Sequence, residues 1–93
     1  MIERLLAAER ALAADQVDAA AQLFDQVAAA DPRNAIAVVG QARVALRRGD
    51  RQRARALAER ALDIDPDDEA AQRLRDDLAT PVAPRLSRAR RPP

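Results

Sequence analysis

Carboxylates and guanidiniums make up almost the whole chemical inventory of this chain. Its 93 residues include no His, no Cys, no Lys and no Tyr. The usual proton carrier near neutral pH is therefore missing, and so are most nucleophiles and every thiolate ligand. The hydroxyl side chains are Thr80 and Ser87, both near the C-terminus. Gly40 and Gly49 stand alone, so no glycine-rich loop can cradle a phosphate. The acidic run Asp63, Asp65, Asp67, Asp68 and Glu69 is the one cluster that invites a cation. It lacks the glycine-centred loop and the spacing of a calcium hand. Asp68 and Glu69 fit better at a helix N-terminus, where they cap and complement the macrodipole. This inventory points away from an enzyme and implies no catalytic residue, no cofactor and no metal.

The arginines are more suggestive. Arg43, Arg47, Arg48, Arg51, Arg53, Arg55 and Arg60 form a band along the middle of the chain. Such a band can bind acidic peptides or nucleic acid. Acids are interspersed with it and aromatic stacking partners are missing, which favours a solvated, salt-bridge-laced surface. Residues 1–80 hold 12 Arg against 15 acids, a net of −3. Residues 81–93 carry Arg85, Arg88, Arg90 and Arg91 among prolines and no acid, a net of +4. That segment reads as a disordered basic tail, either a bare terminus or a tether to RNA, an acidic partner or anionic lipid.

The elements beneath these charges are helical. Apolar residues are 48% of the chain, largely alanine, with Phe24 the one aromatic. Alanine favours helices that approach one another closely, and it disfavours sheets. Three-four periodicity runs through five segments: Ile2 to Leu12, Val17 to Ala28, Val38 to Leu46, Ala54 to Leu62, and Ala70 to Leu78. Asp31-Pro32 and Asp65-Pro66 each end a helix. Asn34 and Asp68 follow as caps, Gly49 suits a left-handed helix end, and Asp50 caps what comes next. Connections this short make sequence neighbours antiparallel.

The two Asp-Pro pairs lie 34 positions apart. Laying residues 1–34 over 35–68 aligns Ile2 with Ile36, Ala8 with Ala42, Ala11 with Ala45 and Leu12 with Leu46. It also aligns Ala20 with Ala54, Leu23 with Leu57, and the Asp-Pro pairs themselves. With this period the chain resembles the tetratricopeptide repeat family. The second unit resembles it along its length, through Gly49-Asp50 at the inter-helix turn, Ala42, Ala54, Ala58 and Ala61, and the closing Asp65-Pro66. The first unit resembles it through Ala8, Ala20, Phe24 and Pro32. It departs at Asp15-Gln16, which replaces Gly-Asp, and at Arg4, where the family prefers a large aromatic.

The resemblance implies an all-α, antiparallel helix-pair solenoid over residues 1–80. Its repeats are 1–34 and 35–68, with a capping helix over 69–79 and the tail over 81–93. It implies a protein-interaction scaffold or adaptor whose concave face is lined by Ile2, Leu5, Glu9, Leu12, Ile36, Val39, Arg43 and Leu46. The subclass that clamps a C-terminal carboxylate places Lys and Asn where Leu5, Glu9, Val39 and Arg43 stand here, so a mostly apolar groove for a peptide or amphipathic helix is expected. These residues have a second reading, as core or as a face covered by self-association.

Three further expectations follow from the sequence. Solenoids bury their core by stacking, so two and a half units leave the first helix uncovered. A homodimer through the first helix pair, folding against a partner, or a longer protein of which this is one segment would each cover it, and the homodimer is the expectation carried forward. Gly40 interrupts the third helix at a cost of about 1 kcal/mol relative to Ala. It fits either a close approach by a ligand or second subunit, or a tolerated surface glycine, and the latter is expected. No membrane span and no signal peptide are seen, so a cytoplasmic protein is expected. The alternative function is a nucleic-acid-associated module using the arginine band and tail.

Overall fold

A computed structural model describes residues 2–79. The expected tail over 81–93 lies outside the described residues. Five α-helices follow in order: α1 Ile2–Ala13, α2 Val17–Ala30, α3 Ala35–Arg47, α4 Arg51–Ile64 and α5 Glu69–Ala79. Each packs against the next, and α1 also touches α3. Two helix pairs are thus stacked, with α5 laid on the second. No strand occurs among the described residues.

The turns show why the helices stop where they do. After α1, Asp15 N–H donates to the Leu12 carbonyl at 3.0 Å and Gln16 N–H to the Ala11 carbonyl at 2.8 Å. After α3, Gly49 N–H donates to Leu46 at 3.0 Å and Asp50 N–H to Ala45 at 2.9 Å. The same bonds recur one repeat later, so Asp15-Gln16 makes the turn that Gly49-Asp50 makes. Both turns need a left-handed residue. Gly49 takes it at φ +81°, and Asp15 takes it at φ +62°. Asp is among the few L-residues that tolerate this region. The two turns differ in their caps. The Asp50 carboxylate accepts from Arg53 N–H at 3.1 Å, whereas the Gln16 side chain makes no cap bond.

The Asp-Pro segments are equally matched. The Asp31 carboxylate accepts from Arg33 N–H at 3.3 Å, and Asp65 accepts from Asp67 N–H at 3.1 Å. Asn34 Oδ1 then accepts from Ala37 N–H at 3.1 Å, and Asp68 Oδ1 from Ala71 N–H at 3.0 Å. Each aspartate tightens the turn and the next Asx residue caps the helix, which satisfies donors that the chain reversal would otherwise orphan. Asp68 and Glu69 of the acidic run are therefore helix-starting residues.

Two clusters form the core. The first joins Ala8, Leu12, Ala20 and Phe24 with Val44 of the second unit. The second joins Val38, Val39, Ala42, Leu57 and Ala61 with Ala71 and Leu78 of α5. Phe24 is the largest fully buried side chain. It explains Gly40, which is buried in α3 rather than tolerated on the surface as expected. A Cβ built on Gly40 would overlap the Phe24 ring. The glycine is a seat for the ring of the preceding helix pair, and the ring's packing offsets its helix-propensity cost.

Candidate functional site: the α1–α3 face and its ion pairs

Helices α1, α2 and α3 alternate in direction and α1 touches α3, so α1 and α3 point the same way and residues 34 apart share a level. Ile2 and Ile36 lie at one such level, exposed by 72% and 57%. Leu5 is half-buried against the first cluster, and Leu46 is half-buried against the second. Leu12 and Val39 are buried in the first and second clusters respectively, where they hold the floor of the face. Two turns along from Ile2 and Ile36, Glu9 meets Arg43. The Arg43 guanidinium donates to both carboxylate oxygens of Glu9 at 2.8 Å. Both side chains remain about two-fifths exposed. The structure thus brings together two expected contact residues as partners of each other.

The pair belongs to a series. Arg47 meets Asp15 at 3.0 Å and Arg48 meets Asp18 at 2.7 Å. In all three pairs the acid stands in the first unit and the arginine in the second. Gln41 adds a hydrogen bond from its amide to Asp25 at 2.8 Å. Arg55 pairs within α4 to Glu59 at 3.6 Å. Much of the arginine band is therefore engaged in joining the units or in lacing one helix. Exposed pairs contribute little individually to stability, but opposite charges facing each other across the two units disfavour a slipped register.

A cleft of about 290 Å³ opens between α2, α3 and the start of α4. Ala21, Val44 and Ala45 line it together with Asp25, Arg48, Asp50 and Arg53. None of the expected contact residues is in it. Asp25, Arg48 and Asp50 already have partners in Gln41, Asp18 and the Arg53 amide. No three carboxylates among the described residues are placed to share a metal ion. No helix among them is long and apolar enough to cross a membrane.

With the repeated turns, the 34-residue period and the stacked pairs established, the family assignment follows from one comparison. The tetratricopeptide repeat profile matches residues 11–78. The chain belongs to the tetratricopeptide repeat family. Comparison with curated proteins yields no match, and comparison with solved structures yields none. Tetratricopeptide repeats generally mediate protein–protein interaction on a non-enzymatic scaffold. The match begins inside α1, which carries Arg4 where α3 has the fully buried Val38.

Proposed function

We propose that this tetratricopeptide chain is an adaptor that binds an amphipathic helix of a partner protein across α1 and α3, and that it performs no catalysis. The observation that carries the reading is the exposed Ile2–Ile36 level. Large apolar side chains left in water on adjacent helices are an interaction signal. Packed helix axes lie about 10 Å apart, and two turns of an α-helix advance about the same distance. A ligand helix with apolar residues at i and i+7 therefore fits the two isoleucines, with Leu5 and Leu46 beside them. The Glu9–Arg43 pair borders the apolar strip and favours a ligand whose flanking residues are polar. Most of the arginine band has acidic partners within the fold, which leaves less of it for phosphates.

The test is selection of binding peptides from a displayed random library, followed by affinity measurement on three chains. These are the natural chain, Ile2→Glu with Ile36→Glu, and a chain ending at Thr80. Helical content is checked first. The proposal expects peptides with i, i+7 apolar spacing, at least tenfold weaker binding to the double variant, and unchanged binding to the shortened chain. Apolar binding should also hold between 50 and 300 mM salt. Binding of oligonucleotides that collapses over that range, and that depends on the tail, would establish the nucleic-acid alternative instead.

A further inference from the structure

The two ends of the stack are finished differently. Within the stack, a helix docks on the preceding pair through one stripe. In α3 the stripe is Ala37, Gly40, Gln41 and Val44, and it meets α2 through the Gly40 seat for Phe24 and the Gln41–Asp25 bond. Ala71, Leu74 and Leu78 form the counterpart in α5, with Ala71 and Leu78 buried. The corresponding stripe in α1 is Glu3, Leu6, Ala7 and Arg10, of which Glu3, Leu6 and Arg10 are exposed and Ala7 is half-buried.

At the far end, the outer side of α5 presents Gln72, Asp76 and Ala79, where α3 has Val38, Ala42 and Ala45 facing α4. That is a polar closing face. At the near end, Leu6 is exposed by 51% and Ile2, one turn earlier, more so. The large apolar residues exposed among the described residues are these two and Ile36. The α1 stripe is therefore half cap and half contact, with charge at both ends and leucine in the middle.

We infer that this stripe docks on the same stripe of a second copy of the chain, with the two α1 helices antiparallel about a two-fold axis near Leu6 and Ala7. The charge pattern selects this occupant. An isologous contact sets residue i against j and j against i. Here it sets Glu3 of each copy against Arg10 of the other, and Leu6 against Ala7. Neither Glu3 nor Arg10 has an ion-pair partner within its own chain among the described residues. A parallel arrangement would instead set Glu3 against Glu3 and Arg10 against Arg10. The inference stands apart from the α1–α3 groove, because Glu3, Leu6 and Arg10 are not groove residues.

The face is one helix wide and smaller than a standard interface, so association in the range of about 0.1–1 mM is expected. Sedimentation equilibrium of the full chain at concentrations up to roughly 1 mM tests it. The natural chain should move from 10.1 kDa towards twice that mass. Glu3→Arg alone and Arg10→Glu alone should each associate about tenfold more weakly, because each creates two like-charge contacts. A one-to-one mixture of the two variants should recover the dimer, since every cross-contact again pairs opposite charges. Circular dichroism shows whether both variants remain folded, and a double variant carrying both changes, which again sets opposite charges together, should associate as the natural chain does. A natural chain that stays at 10.1 kDa overturns the inference. So does a dimer indifferent to both charges, or a mixture that fails to recover, which would indicate head-to-tail contact.

Discussion

The junction between the first and second helix pairs and the junction between the second pair and α5 solve one packing problem in opposite ways. At the first, Phe24 of α2 projects into the gap left by Gly40 of α3. At the second, Ala58 occupies the Phe24 position and Leu74 the Gly40 position. Large meets small at one junction, and the order of sizes is reversed at the other. The volume to be filled belongs to the junction, and either helix can supply it. The polar layer differs as well. Three acid–arginine pairs span the first junction, and at the second the Gln72 amide donates to the Pro66 carbonyl at 2.8 Å. The first junction is locked by one ring and by opposite charges, and at the second Ala71, Leu74 and Leu78 of α5 pack on the second cluster.

Phe24→Ala should break this contrast most severely, with about 3–5 kcal/mol lost in denaturant or thermal unfolding. Leu74→Ala should cost less, about 1–2 kcal/mol, because Leu74 is only half-buried. Gly40→Ala sharpens the comparison through its sign. Helix propensity alone favours the alanine by about 1 kcal/mol. The overlap with the Phe24 ring should instead make it destabilising by about 1–3 kcal/mol. In a Phe24→Ala background the same change should become stabilising, and Phe24→Ala with Gly40→Leu should recover much of the loss by copying the second junction. Additive effects at these touching positions would contradict the ring-and-seat account.

Smaller effects are expected at the turn and in the polar layer. Asp15→Gly should stabilise by about 0.5–1 kcal/mol, because glycine adopts the left-handed conformation without a Cβ penalty. A lower melting temperature would mean that the Asp15–Arg47 contact outweighs the backbone term. Glu9→Gln should cost about 0.5–1 kcal/mol, and less at 1 M salt. Asp18→Asn, at a nearly fully exposed carboxylate, should leave the melting temperature within error.

What could be read from the sequence follows the range of each interaction. Asn34, Asp50, Asp68 and Gly49 act within three or four residues, and their roles were visible from neighbours alone. The Asp-Pro pairs, 34 apart, set the repeat and hence the helix order. Gly40 was misread because its partner, Phe24, lies on another helix, and no local pattern distinguishes a seat from a surface gap. Glu9 and Arg43 were each read as groove residues. Their mutual pairing depends on α1 and α3 lying side by side, although opposite charges at one repeat position were a signal that could have been used. Leu12 and Val39 share the helix face of Ile2 and Ile36. Burial separates them because it varies along that face, which the three-four period does not encode.

The functional claim rests on the α1–α3 face, and amide chemical-shift mapping probes it most directly. A peptide selected for binding is titrated into isotope-labelled natural chain, and the shifted amides are located. The account predicts shifts centred on Ile2, Leu5, Glu9, Ile36, Arg43 and Leu46, with α4 little affected. Shifts centred on the cleft residues Ala21, Asp25, Arg48 and Arg53, with Ile2 and Ile36 unmoved, would contradict it and move the binding site to the opposite side of α3.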